Sequence, residues 1–193
     1  MESDPEQLAS VAGITGQLIA AITGEQWGLP TTCSEWNVRD LVWHVVTGND
    51  AFAAALSGAP ALSPPAAEPS GDLASSYGLS IRSLVDAFRQ PGALQKVVAV
   101  PFGTLPGAVA LHLRMTELLV HGWDLARATG QPVVFPEDVV EQELAFTRRA
   151  LADIPPGRRP FAPPEPVPEN APAIDRLAAC LGRRVTAPLT GPS

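Results

Sequence analysis

The chain has 193 residues, 46% hydrophobic and 17% charged, with a formal net charge of −7 and a pI of about 4.9. That composition suits one domain with its own core and excludes a chain disordered throughout. Lys and Arg form no cluster larger than short pairs such as Arg148-Arg149 and Arg183-Arg184, which argues against the concentrated basic face that nucleic-acid binding needs.

The start, MESDPEQLAS, is acidic and lacks the basic-then-apolar order of a secretory signal. No stretch is apolar for long enough to span a bilayer. Two cysteines, Cys33 and Cys180, make neither a disulfide framework nor a zinc cluster of their own. Cytoplasm is therefore the expected location, with no membrane or nucleic-acid partner.

In chain order, Ser3-Asp4-Pro5-Glu6 is a capping-box pattern. It opens a first helix through Leu8, Val11, Ile14, Leu18, Ile19 and Ile22, stopped near Gly24. QWGLPTTCSEW reads as a loop. Asn37, with Asp40 three residues on, caps a second helix that ends near Gly58. Residues 58–71 hold a cluster of prolines and read as a connection. A third helix runs from about Asp72 to Gln90 and is stopped by Pro91-Gly92. LQKVVAVPFGTLPG is extended or irregular. Leu105 to Thr129 forms the fourth helix, closed by Gly130, and Pro136 to about Asp153 the fifth. A second proline-rich connector covers 154–172, before a short helix over about 171–182. No strand alternation argues for a sheet. The expectation is an all-α, single-domain helical bundle with its core over about 3–153.

The chemistry concentrates in MTELLVHGWDLA (115–126), where Glu117 and His121 interrupt an apolar run. A buried charge without a partner costs several kcal/mol, so a metal ion, a hydrogen-bond network or solvent must satisfy the pair. At about 100° per residue, Glu117 and His121 lie about 40° apart on one face, with Arg114 and Asp124 close to it. His112 falls about 180° from His121 and cannot join them. The remaining histidine, His44, sits in DLVWHVVTG among Leu41, Val42, Val45 and Val46. If the second and fourth helices face each other, His44, Glu117 and His121 converge as two imidazoles and a carboxylate, the ligand set of a catalytic zinc site. The plainer readings are a core histidine bonded to a carbonyl, a surface Glu/His pair, Trp43 and Trp123 as core anchors, and Cys33 as a small buried residue. Asp124 and Arg127 can equally pair with each other or with Arg39 and Asp40.

At these residues the chain resembles a known family. TTCSEWNVRDLVWHVVTGN resembles a Thr/Cys/Trp loop followed by a V-R-D-L-x-x-H helix, and ELLVHGWDLARATGQP resembles the E-x-x-x-H-x-W-D-L-A helix that accompanies it. Both are similar to the DinB-like superfamily, in the branch related to the N-terminal domain of mycothiol-dependent maleylpyruvate isomerase. The tail FAPPEPVPENAPAIDRLAACLGR resembles short bacterial members of that branch. The resemblance implies a four-helix bundle of up-down-down-up type. It also implies a divalent metal, zinc first and nickel second, held by His44, Glu117 and His121. It further implies an open metal position for a low-molecular-weight thiol such as mycothiol, which adds to an electrophilic small molecule. In that setting Asp40 or Asp124 is a candidate to orient a ligand imidazole, and Arg39 or Arg114 to anchor a carboxylate. The isomerase carries a further C-terminal domain for which the sequence after Thr129 has no room. Three functions follow as expectations: a metal-dependent thiol S-transferase or isomerase-like enzyme, a hydrolase using metal-activated water, or a non-catalytic metal-binding bundle. A lean charged surface is also compatible with a homodimer.

Overall fold

The computed structural model describes residues 4–33, 36–59, 72–100, 103–152, 154 and 161–185. Ser3, most of the 58–71 connection and residues 155–160 of the second connector lie outside the described residues.

The helices are α1 (Pro5–Ala20), α2 (Val38–Leu56), α3 (Leu73–Arg89), α4 (Gly107–Thr129), α5 (Glu137–Ala152) and α6 (Ala173–Cys180). Their starts follow capping chemistry. The box at α1 is formed by Asp4 with Gln7, one residue later than the Ser3/Glu6 pairing expected from the sequence. The carboxylate of Asp4 reaches the backbone amides of Glu6 and Gln7, satisfying donors that the helix itself cannot. At α2, Asn37 and Asp40 form the expected reciprocal box. Asp72 caps α3, with its side chain accepting from Ala74 and Ser75.

One expectation is corrected. Val97–Val100 and Gly103–Pro106 form β1 and β2, an antiparallel pair with Val97 opposite Pro106 and Val100 opposite Gly103. Strands of four residues hold too few alternations to register as a periodic pattern. Leu105 and Pro106 thus belong to the hairpin, and α4 begins two residues later than expected. Gly107 makes that entry possible, because a Cβ there would lie 2.0 Å from the Ala93 carbonyl oxygen.

α1 packs on α3 and α4, and α2 packs on the same two helices, which closes a four-helix bundle. Polar pins cross these contacts. Tyr77 Oη donates to the Ala12 carbonyl (2.8 Å), Asn49 Nδ2 to Ser80 Oγ (3.1 Å) and Thr15 Oγ1 to the Leu118 carbonyl (3.3 Å). α5 and α6 lie against each other and against α4. With neighbours on all sides, α4 buries every residue from Leu118 to Ala126. No helix among the described residues is long and apolar enough to cross a membrane.

Candidate functional site

α2 and α4 do face each other, and they bring His44 and His121 together. The two rings meet edge to face with centroids 5.2 Å apart. Trp36, just ahead of the α2 cap, closes one side, 4.4 Å from the His44 ring and 6.3 Å from that of His121. Glu117, one turn before His121, shares their electrostatic environment. It keeps 27% of its side chain accessible while Arg114 pairs with its carboxylate.

The environment sets the charge of each group. Burial, then the neighbouring His121, lowers the His44 pKa to about 4, against a smaller opposing pull from Glu117. His44 is therefore a neutral imidazole at physiological pH, the form that binds metals. Burial pushes Glu117 upward, but Arg114, with His121 and His44 behind it, outweighs that and holds the carboxyl below its ordinary range. The chain thus presents two imidazoles and one ionised carboxylate on facing helices, donor types that suit a divalent cation.

A buried polar network surrounds His121. Its Nδ1 is 3.1 Å from Asp124 Oδ2, and Asp124 is fully buried. Thr32 donates to the other carboxylate oxygen, and the Arg183 guanidinium lies 3.1 Å from Oδ2. Burial raises the Asp124 pKa, but the hydrogen bond from His121 and the charge of Arg183 more than offset this. Cys33 Sγ sits 3.7 Å from the same carboxylate. Burial and then Asp124 raise its thiol to about 11, so Cys33 is protonated at neutral pH. Among the described residues, the group of three whose donor atoms all lie within 4.8 Å of one another, and which could therefore hold an ion, is Cys33, His121 and Asp124; His44 and Glu117 do not meet His121 at that spacing. In both groups the carboxylate already has a cation beside it, Arg183 at Asp124 and Arg114 at Glu117.

The other candidates are placed as follows. Arg114 is 1% exposed and bonded to Glu117, Asn49 Oδ1 (2.7 Å) and the Val45 carbonyl (3.4 Å). Asp40 is exposed and spent on the α2 cap, and Arg39 lies over the Trp27 ring. His112, which the helical arithmetic set aside, faces α5, 2.9 Å from the buried Glu143 and stacked on Phe146. Trp123 is a core anchor whose Nε1 donates to Asp175 on α6. The cation that pairs with Asp124 is Arg183, while Arg127 lies over the Trp123 ring. Sequence reading had not connected Thr32, Trp36 or Arg183 with this site. The first two stand in the quoted TTCSEW stretch, whereas nothing local to Arg183 signals its role.

The family model for the mycothiol maleylpyruvate isomerase N-terminal domain matches residues 8–126. The chain belongs to this family. Uncharacterized proteins from two strains of Mycobacterium tuberculosis are each 38% identical over 172 residues, covering 87% of this chain and 91% of their own length. The fold is also that of a solved mycothiol-dependent maleylpyruvate isomerase, with a TM-score of 0.58 at 19% identity over 74% of this chain and 68% of the enzyme. A variant of that enzyme matches with a TM-score of 0.56 at 18% identity. The DinB-like helical bundle is thus established for this family member. His44, Glu117, His121 and Asp124 all lie inside the matched region, and Arg183 lies outside it.

Proposed function

We propose that this protein is a metal-dependent enzyme that activates a low-molecular-weight thiol, mycothiol or a relative, for S-transfer or addition to an electrophilic small molecule. The observation that carries the reading is the meeting of His44 and His121, 5.2 Å apart, beside the ionised Glu117. Membership in a family named for a mycothiol-dependent isomerase supports the thiol. In this reading His44, Glu117 and His121 hold the metal, with zinc favoured by the mixed imidazole and carboxylate set. A divalent cation held there supplies the charge that favours the thiolate form of a thiol at neutral pH.

The protein's own groups prepare the site. Burial keeps His44 neutral and ready to donate its lone pair. Asp124 accepts from His121 Nδ1 and leaves Nε2 for the ligand role. Arg114 fixes Glu117 and holds it ionised. Trp36 walls the two imidazoles from one side and limits water. Cys33, protonated, does not compete with the thiol as a nucleophile. In the transfer, the sulfur forms a bond to the electrophilic carbon, the carbon–leaving-group bond breaks with its electron pair going to the leaving group, and the thiol proton passes to that group or to solvent. In an addition, the proton ends on the carbon next to the new bond.

The test is metal analysis of protein purified without a histidine tag, beside His44→Ala, Glu117→Ala and His121→Ala. Near-stoichiometric zinc or nickel in the wild type, lost in each variant, is the expected result. The loaded protein should then accelerate consumption of mycothiol by a chlorodinitrobenzene probe. Wild-type protein that cannot be loaded with zinc sinks the reading. Rate enhancement on ester probes without thiol would favour a hydrolase using activated water. Metal retained in His44→Ala but lost in Cys33→Ala would shift the ion to the Cys33, His121 and Asp124 group.

A further inference from the structure

After α6 the chain turns at Gly182 (φ 82°), where a Cβ would come within 2.6 Å of the Ala162 Cβ. The turn sends Arg183 inward, leaving it 9% exposed. Its guanidinium meets both oxygens of Asp124, with Nη2 3.1 Å from Oδ2 and Nε 3.4 Å from Oδ1. Nη1 donates to the Leu181 carbonyl at 2.9 Å, and Nη2 lies 3.5 Å from Cys33 Sγ. This two-pronged pairing fixes orientation as well as charge. The segment that delivers it is itself tied down. Trp123 Nε1 donates to Asp175 (2.8 Å), the Ala173 amide to Glu137 (3.0 Å) and the Glu165 amide to the Ala179 carbonyl (2.9 Å).

We infer that Arg183 is a positioning residue of the candidate metal site, acting through Asp124 on His121. The guanidinium holds the carboxylate where it accepts from His121 Nδ1, and so keeps the ring in one orientation and one tautomer, with Nε2 left to bind. Removing such outer partners typically weakens metal binding about 10–100-fold. The inference rests on the reading that His121 is a ligand, but the C-terminal segment's hold on Asp124 can be tested without any metal.

The experiment compares wild type with Arg183→Met and Arg183→Lys in the full chain. In metal-free protein, long-range 15N–1H spectra report the His121 tautomer. The wild type should show Nδ1–H alone, and Arg183→Met a mixture of tautomers. Zinc competition against a chromophoric chelator should show about 10–100-fold weaker binding in Arg183→Met. Arg183→Lys, which keeps the charge but not the fork, should fall between. If Arg183→Met does not fold, Arg183→Gly with millimolar guanidinium should recover both the tautomer and the zinc affinity. An unchanged tautomer and unchanged affinity, with only a lower melting midpoint, would overturn the inference and leave Arg183 a structural residue. A wild type that binds no zinc would sink the metal reading alone, and the tautomer comparison would still decide the role of Arg183.

Discussion

Replacing Gly48 by alanine tests whether Arg114 is held in place. On an ordinary helix the change would stabilise by up to about 1 kcal/mol, because alanine loses less backbone freedom than glycine. Here the added Cβ would lie 2.5 Å from Arg114 Nη1 and 3.2 Å from its Cζ. Ordinary contact needs about 1 Å more, and Arg114, 1% exposed, has no open side to retreat to. A shift of that size breaks or stretches the bonds to Asn49 and Glu117. Hydrogen bonds to charged groups contribute about 1.5–3 kcal/mol each, so the net loss should be about 1–3 kcal/mol. For a chain of this size that lowers the melting midpoint by about 2–12 °C. Thermal denaturation of metal-free protein measures it, with Gly13→Ala as control, since nothing lies within 4 Å of a Cβ at Gly13. Metal retention should fall as well, because Glu117 loses its partner. In an Arg114→Met background the Gly48→Ala penalty should vanish. If Gly48→Ala is as stable as wild type, or gains like the control, the guanidinium is not pinned and the reasoning fails.

The remaining predictions concern other parts of the molecule. Glu143→Gln replaces the buried carboxylate bonded to His112 and Thr116 and should cost about 1–3 kcal/mol in urea denaturation, with metal content unchanged; a loss of metal would connect this seam to the site. With its thiol raised to about 11, Cys33 should react with iodoacetamide at pH 8 about 100-fold more slowly than an ordinary exposed cysteine, measured in a Cys180→Ser background. Its rate should climb as pH rises toward 11, because the thiolate is the reacting form, and a plateau near pH 8 would contradict the burial of this thiol. Gly107→Ala should cost more stability than Gly48→Ala, because its Cβ meets backbone 2.0 Å away rather than a side chain; an ordinary melting curve would place the α4 entry elsewhere.

Helices and their ends were legible in the sequence because they depend on local chemistry. Asn37 and Asp72 cap where their side chains reach amides two or three residues on, and Gly130 ends α4 at a φ of 69°. The same local arithmetic separated His112 from His121, and in the structure His112 meets Glu143 on α5 while the ring of His121 meets that of His44 on α2. LQKVVAVPFGTLPG reads as extended or irregular, but the β1–β2 pairing within it is not legible, because it is made between two short segments and leaves little trace in either. Arg183 escaped for a stronger version of that reason. Its carboxylate partner stands on another helix, and only the packing of α6 on α4 and α5 decides that they meet. Arg114 likewise reads only as a candidate carboxylate anchor close to the face of Glu117 and His121, and its burial against Gly48 is decided by the packing of α2 on α4. What local periodicity determined was which side chains share a face of one helix. Which faces meet, and which charges then lose their water and need each other, is decided by the tertiary fold, because burial and long-range pairing belong to the assembled helices and to no single one of them.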